Sequence, residues 1–164
     1  MPRFWPIAVQ GIVILAIIAG VNLWRTRDMV SGAAPSLAAV TLDGEHFDLK
    51  TFSGKPLFVH FWAEWCPICA FEEETIQSLS EEYELISVAL SSGNDETLRN
   101  YMRESGLDFQ VINDGDGQFA ADWGVMAVPA TFVIDAAGEI RFTEMGYSSK
   151  IGLVFRHWIA SAFP

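Results

Sequence analysis

The hydrophobic pattern divides the chain into a long apolar segment at the N-terminus and a mixed remainder. From Phe4 to Trp24 no residue is charged, and only Gln10 and Asn22 are strongly polar. As a helix, this segment spans about 30 Å, which matches the hydrocarbon core of a bilayer. Arginines flank it and tryptophans stand near both of its ends, as they do around membrane spans. We therefore predict one N-terminal transmembrane helix within residues 1–27.

Two other interpretations of this segment remain open. A cleaved signal peptide has a shorter apolar core, and the small residues at 31–33 that could form a cleavage site lie well beyond the apolar run. A buried core helix is the second alternative, and the flanking arginines weigh against it. The positive charges are nearly balanced on the two sides, so the positive-inside rule barely decides the orientation.

After a short linker at residues 28–35, the apolar pattern changes its period several times and predicts an α/β domain over residues 36–164. The predicted order is β β β α β α β, a short helix, then β β α, which favours a central mixed sheet flanked by helices. The predicted elements are a hairpin within 38–49, strands at 57–62, 85–90 and 110–112, helices at 67–83 and from Asp95 to about 106, a second hairpin at 130–143 and a C-terminal helix from about 148.

Each of the two long helices has a predicted buried face. In the first, Phe71, Ile76 and Leu79 supply apolar positions, and the acidic run 72–74 is interpreted as a solvated surface. In the C-terminal helix, five residues at helical spacing predict the face that packs on the core: Ile151, Phe155, Trp158, Ile159 and Ala162.

Charge narrows the range of partners. Residues 35–164 contain 20 acidic and 7 basic residues, which gives this part of the chain a net charge of −13. Such a surface repels the phosphates of DNA and RNA, so we expect no nucleic acid partner.

The chain contains two cysteines, Cys66 and Cys69, and they follow the predicted strand at 57–62. Where a strand ends and a helix begins, the helix N-terminus favours a thiolate on the first cysteine, and the second can attack a mixed disulfide formed by the first. A structural disulfide would close a very small loop and contribute little stability. Structural zinc usually needs four ligands, and the three histidines show no paired spacing: His46, His60 and His157. Thiol–disulfide exchange is therefore the leading prediction.

Two segments resemble the signatures of the thioredoxin superfamily. Residues 61–69, which contain the cysteine pair, are similar to its active-site segment. Residues 124–132 are similar to its second signature, the loop that holds a cis-proline. The resemblance covers residues 36–163 and implies a thioredoxin-like fold.

The same resemblance implies roles for the residues around the cysteines. The Val128–Pro129 bond is expected to be cis, to pack against the cysteine pair and to pair its backbone with an extended substrate. Cys66 is expected to attack a substrate disulfide, and Cys69 to resolve the mixed disulfide. Five residues are expected to support this site or to bind substrate: Trp65, Pro67, Ile68, Val128 and Pro129.

His60 departs from the superfamily pattern. It stands six residues before Cys66, where thioredoxin carries a buried aspartate thought to accept a proton from the second cysteine. We hypothesise that His60 serves as a proton relay for Cys69. A core histidine with satisfied hydrogen bonds is the alternative.

Within the superfamily, the chain resembles the TlpA-like branch of anchored, extracytoplasmic thiol–disulfide proteins. The apolar N-terminus, the leading hairpin and the helix–strand unit at 95–112 carry this resemblance. The Pro67-Ile68 dipeptide and residues 146–149 are most similar to its copper-sensitivity-suppressor (ScsD-like) members. The resemblance implies a protein-disulfide reductase, without a cofactor, on the bacterial inner membrane with its catalytic domain in the periplasm or cell exterior. It also implies re-reduction by a transmembrane electron carrier, a DsbD- or CcdA-like protein.

The sequence does not determine the direction of electron flow or the substrate. An oxidase or isomerase uses the same cysteine pair, and its redox potential distinguishes it from a reductase. A copper-binding module that uses both thiolates, with Met126 nearby, is a third alternative, because soft ligands suit Cu(I). The compatible substrates are an apocytochrome with a Cys-x-x-Cys-His motif, a copper-site protein and a sulfenylated protein.

Overall fold

The computed structural model describes residues 9–14, 16–17, 20–21, 26–27, 29–52 and 54–162. About half of the predicted membrane span at 4–24 falls outside these ranges. Among the described residues, no helix is both long enough and apolar enough to cross a bilayer. The span therefore stays a prediction from the sequence.

The strands of the described domain form two sheets. They are β1 (Gly32–Ala33), β2 (Ala38–Val40), β3 (His46–Asp48), β4 (Leu57–Trp62), β5 (Leu85–Leu90), β6 (Val111–Asp114), β7 (Ala130–Ile134) and β8 (Glu139–Met145). A six-stranded sheet has the order β1-β8-β7-β4-β5-β6, and β2 pairs with β3 in a separate hairpin. β4, β5 and β6 are parallel, whereas β4–β7, β7–β8 and β1–β8 are antiparallel pairs. The mixed central sheet confirms the predicted fold class.

The helices of the same domain are α1 (Pro67–Ser80), α2 (Asp95–Ser105), α3 (Gln118–Asp122) and α4 (Lys150–Ala162). α1 ends at Ser80, earlier than the predicted position 83. α2 starts at Asp95, as predicted, and its capping residue is Asn94, whose side chain accepts a hydrogen bond from Thr97 N at 2.9 Å. Gly106 ends α2 in the left-handed conformation (φ 67°), as predicted.

β4 lies in the middle of the sheet and positions the cysteine pair. All of its residues are buried, and they alternate between two core layers. Phe58 and Trp62 pack in the layer that contains both cysteines, and Val59 and Phe61 pack in the other layer. Because β7 runs antiparallel to β4, with Ala130 opposite Phe61, the loop before β7 meets the loop after β4 at one end of the sheet. The two signature segments are thereby brought together.

The segment interpreted as a linker takes part in the domain. Gly32 and Ala33 form β1, which pairs with the start of β8. Met29 is buried in the core layer that contains Val59 and Phe61. The chain is therefore already packed against the domain from Met29 onward.

The buried face of α1 differs from the predicted one. Ile76 and Leu79 are buried, as predicted, but Phe71 is 81% exposed. The other buried positions of this helix are Cys69 and Glu72. Buried residues recur at intervals of three and four from Cys69, which defines one helical face, and Phe71 lies outside that face.

The prediction for α4 is wrong. Leu153 and Ala160, which lie on one face two helical turns apart, are the buried residues, whereas Ile151, Phe155, Trp158 and Ala162 are exposed and Ile159 is half-buried. This helix carries apolar residues on two faces. Its hydrophobic spacing alone does not distinguish the face that meets the sheet from the face that meets water.

Candidate active site

Cys66 and Cys69 lie at the N-terminus of α1 as free thiols. Cys66 is the capping residue, with extended backbone (φ −94°, ψ 108°), and its Sγ accepts a hydrogen bond from the Cys69 amide at 3.2 Å. Pro67 occupies the first turn, where an amide hydrogen is not needed. This is the arrangement in which a helix N-terminus stabilises a nucleophilic thiolate.

The cis-proline loop lies against the first cysteine. The Val128–Pro129 bond is cis, as the resemblance implied. The Sγ of Cys66 donates to the carbonyl oxygen of Val128 at 3.7 Å, and Pro129 O accepts a hydrogen bond from Gly146 N at 2.8 Å. Cys66 is only 5% exposed, so a substrate has to reach it through the residues that surround it.

Trp65 and Ile68, two of the predicted supporting residues, are exposed at the surface of the site. Trp65 Nε1 donates to Ser91 O at 3.2 Å, and the Glu64 amide donates to Ser92 Oγ at 3.1 Å. These two hydrogen bonds hold the loop between β4 and α1 against the segment that follows β5.

Cys69 is buried more deeply than Cys66, and this changes its acidity. Burial raises the pKa of the Cys69 thiol, and the hydrogen bond with Cys66 and the charge of Glu72 raise it further. The Cys69 thiol therefore holds its proton at neutral pH. A base must take that proton before Cys69 can act as a nucleophile.

Glu72 is a buried acidic group of the site, although its place in the acidic run 72–74 predicts a solvated surface. Its side chain is fully buried, Oε1 accepts a hydrogen bond from Ser148 N at 2.8 Å, and Oε2 has no partner among the described residues. Burial raises the pKa of Glu72 to about 7. The carboxyl group is thus able to exchange a proton near neutral pH.

The sequence carries a partial signal for the position of Glu72. Cys69, Glu72, Ile76 and Leu79 follow one another at intervals of three and four residues, which places all four on one helical face. An apolar face that also contains a reactive cysteine and a carboxylate signals a buried acid rather than a solvated one. Glu74 of the same acidic run is exposed, and Glu73 accepts a hydrogen bond from Tyr101.

His60 lies in the core and is bonded to the neighbouring strand. Its Nδ1 is 2.9 Å from Thr131 Oγ1, and burial lowers the pKa of His60 to about 3. The imidazole is therefore neutral at physiological pH. The groups that shift the pKa of Cys69 include Glu72 and do not include His60. A relay through His60 stays a prediction, and the charge of Glu72 acting on Cys69 makes Glu72 the second candidate for the proton acceptor.

The described residues contain no group of three His, Cys, Asp or Glu side chains placed to hold a metal ion. His157 stacks on Phe58, with ring centroids 5.1 Å apart, and His46 and Met126 are exposed.

The chain is similar over most of its length to known thiol–disulfide proteins. It is 34% identical over 158 residues to a thiol:disulfide interchange protein DsbE homolog of Paracoccus denitrificans, covering 89% of this chain and 88% of that protein. It is 32% identical over 149 residues to a thioredoxin-like protein of Haemophilus influenzae, covering 90% of this chain and 89% of the other. The crystal structure of the exposed lipoprotein thioredoxin Etrx1 of Streptococcus pneumoniae has the same fold, with a TM-score of 0.68, 23% identity and coverage of 76% and 99% of the two chains.

The sequence profile of the AhpC/TSA family matches residues 30–143, the part of the chain that holds the sheet, the cysteine pair and the cis-proline loop. A particular closeness to the ScsD-like members is not among these similarities and stays a prediction. On the profile match and on the relatives, the chain belongs to the AhpC/TSA family of the thioredoxin superfamily.

Proposed function

We propose that this chain is a protein thiol–disulfide oxidoreductase that reduces disulfides through Cys66 and Cys69. One observation carries the proposal. The Sγ of Cys66 lies between the N-terminus of α1, where the Cys69 amide donates to it at 3.2 Å, and the carbonyl oxygen of Val128 at 3.7 Å. A sulfur in this position is stabilised as an attacking thiolate and lies beside a backbone that can pair with a substrate.

The first step joins the substrate to Cys66. The Cys66 thiolate attacks one sulfur of the substrate disulfide, forms a mixed disulfide and releases the other sulfur as a thiolate that takes a proton from solvent. Trp65 and Ile68 border the approach, and the backbone of Val128 and Pro129 holds the substrate segment.

The second step depends on Glu72. Because the raised pKa of Cys69 keeps its thiol protonated, the Glu72 carboxylate accepts that proton. The Cys69 thiolate then attacks Cys66 Sγ, the substrate leaves as a thiolate, and the two cysteines end as a disulfide. Two electrons pass from the cysteine pair to the substrate.

Reduction rather than oxidation is the direction that we propose. Strongly oxidising exchange proteins have a reduced form that is stabilised as a thiolate. The raised pKa of Cys69 concerns the second cysteine and not the attacking one, so the support for a reductase is the resemblance to the TlpA-like branch. Equilibration with glutathione tests the direction: a potential below about −220 mV supports a reductase, and one near about −120 mV indicates an oxidase.

We also propose that the chain is anchored in the bacterial inner membrane with its catalytic domain in the periplasm or cell exterior. The support is the uncharged run at 4–24 and its closeness to Met29, which is already packed in the core. Outside the cytosol a cysteine pair needs electrons from across the membrane, and a DsbD- or CcdA-like carrier is the class of partner that fits.

Protease treatment of intact spheroplasts tests this location. The catalytic domain is expected to be digested from outside, and the undigested chain to stay with the membrane after carbonate extraction. Digestion only after lysis, or release by carbonate, would contradict the proposed location.

A further inference from the structure

The Glu72 carboxyl group is bound by a backbone amide that comes from a distant segment of the chain. Oε1 accepts a hydrogen bond from Ser148 N at 2.8 Å, and Oε2 has no partner among the described residues. Ser148 lies between β8, which ends at Met145, and α4, which begins at Lys150. Because both partners are buried, this hydrogen bond is shielded from water and is stronger than one at the surface.

The segment that carries this amide, residues 146–148, is held on both sides. Gly146 N donates to Pro129 O at 2.8 Å, which ties the start of the segment to the cis-proline loop. On the other side, Ser149 Oγ accepts a hydrogen bond at 3.3 Å from an amide in the first turn of α4. The Ser148 amide is therefore a donor that is already in place when the carboxyl group changes its charge.

Burial and the Ser148 amide act on Glu72 in opposite directions. Burial disfavours the charged carboxylate and raises its pKa, whereas the hydrogen bond from the amide favours the charged form and lowers the pKa. The two effects together leave the pKa of Glu72 at about 7. Without the amide, the carboxyl group would keep its own proton at neutral pH and could not accept one from Cys69.

The elements around Glu72 carry other titratable side chains, and no hydrogen bond found among the described residues joins one of these to its carboxyl group. They are Cys66 and Cys69 in α1, His60 in β4, Tyr101 in α2 and Lys150 in α4. Tyr101 donates to Glu73, and Lys150 Nζ donates to Ser78 Oγ at 2.5 Å and to Glu82 Oε1 at 2.8 Å. His60 is neutral at physiological pH, because burial lowers its pKa to about 3. The stabilisation of the Glu72 carboxylate therefore comes from the Ser148 amide.

We propose that Ser148 is a positioning residue for the second step, because its backbone amide orients the Glu72 carboxylate and keeps it ready to accept the Cys69 proton at neutral pH. The proposal deepens the proposed function and rests on it. Since Oε1 stays bound to the amide, the proton passes from Cys69 Sγ to the unpartnered Oε2. Cys69 Sγ then bonds to Cys66 Sγ, and the substrate sulfur leaves with the electron pair of the broken bond.

The test measures the rate of the second step against pH, with the full chain in lipid nanodiscs and a cyclic disulfide peptide as substrate. Ser148→Pro removes the donor, because proline has no amide hydrogen. Ser149→Pro is the matched control, since it places the same ring one residue later and leaves the Ser148 amide intact. Stopped-flow measurement of the lifetime of the mixed disulfide gives the rate.

The two proline variants are expected to differ in their pH profiles. In the wild-type chain and in Ser149→Pro, the rate should rise with pH through about 7. In Ser148→Pro, the midpoint should lie about one pH unit higher, because a hydrogen bond to a charged group is lost. The second step should then be about fivefold slower near pH 7 and should recover the wild-type rate near pH 9.

The rate of the first step shows whether each variant is folded, since this step needs Cys66 and not Glu72. If Ser148→Pro fails this check, the same amide is replaced by an ester through incorporation of the α-hydroxy analogue of serine at position 148. The ester removes the same hydrogen and leaves the side chain unchanged, so the same shift of the midpoint is expected.

Three results would overturn the role of Ser148 and leave the proposed function standing. The first is an unchanged midpoint when the amide hydrogen is absent. The second is a loss of rate that is equal near pH 7 and near pH 9, as a merely structural role would give. The third is the same shift in Ser149→Pro. A reduced wild-type chain that forms no mixed disulfide with the peptide would instead overturn the proposed function itself.

Discussion

Glu72 lies on the buried face of α1, one helical turn beyond Cys69, and its charge helps to raise the pKa of the Cys69 thiol. One carboxylate oxygen is bound by the Ser148 amide, and the other has no partner in the part of the chain that the structure describes. A carboxyl group whose pKa is about 7 is suited to take a proton from a thiol that burial keeps protonated.

The first prediction concerns the variant Glu72→Gln. It is expected to slow the second step, the attack of Cys69 on the mixed disulfide, about 10²-fold near pH 7, because the base is lost. In the wild-type chain the rate of this step should rise with pH through about 7, where Glu72 loses its proton, and the variant should lack that rise. Stopped-flow measurement of the lifetime of the mixed disulfide checks both expectations, and the first step serves as the internal control.

The matched comparison is His60→Asn, which tests the competing relay. Because burial lowers the pKa of His60 to about 3, we expect this variant to keep the wild-type pH profile of the second step. It should instead lose stability, since the hydrogen bond to Thr131 is broken in the core. If His60→Asn abolishes the pH dependence and Glu72→Gln preserves it, the relay runs through His60.

The second prediction concerns the free energy of unfolding. The pKa of Glu72 is about 7 in the folded chain, whereas an ordinary Glu in an unfolded chain has a pKa of about 4.3. The folded state therefore binds this proton more tightly. The contribution of this group to stability is therefore fully present below about pH 4 and is lost as the pH rises to about 7. Glu72→Gln keeps an oxygen acceptor for the Ser148 amide. Near pH 8 its free energy of unfolding should be about 2 kcal/mol higher than that of the wild-type chain.

Urea titrations of both proteins near pH 4 and near pH 8 check this expectation. The difference between variant and wild type should be small at the lower pH and large at the higher one. A difference that is equal at both values would show that Glu72 titrates normally.

The third prediction separates the two apolar faces of α4. Leu153→Ala is expected to reduce the free energy of unfolding by about 2–5 kcal/mol, because it leaves a cavity in the core. Phe155→Ser changes an exposed ring and should cost less than about 1 kcal/mol. Denaturation curves of the two variants measure both losses in the free energy of unfolding. A larger loss in Phe155→Ser than in Leu153→Ala would show that the face predicted from the sequence is the buried one.

The elements nearest the cysteines were the most predictable from the sequence. β4 is apolar at every position except His60, which is typical of a central strand buried on both sides, and Pro67 marks the start of α1. The cis bond before Pro129 followed from the resemblance of a short segment rather than from residue physics. Each of these features depends on a short stretch of sequence and is therefore predictable from that stretch.

The residues that were missed depend on how distant elements pack. Glu72 lies in a run of three glutamates, and its burial depends on the Ser148 amide, which reaches it from a loop far along the chain. In α4, Leu153 and Phe155 are both apolar, and the contact of the helix with the sheet decides which of them is buried. In both helices the spacing of the apolar residues limits which faces can be buried, and the tertiary contacts determine which of these faces is buried.

The central claim is that Cys66 attacks the substrate disulfide and that Cys69 resolves the mixed disulfide. Acid-quenched mass spectrometry of single-turnover reactions with insulin tests this claim most directly. Reduced Cys69→Ser is expected to accumulate a mixed disulfide through Cys66, the wild-type chain to form it only transiently while releasing reduced insulin, and Cys66→Ser to form none. An adduct in Cys66→Ser as fast as in Cys69→Ser, or no adduct in Cys69→Ser, would contradict the account.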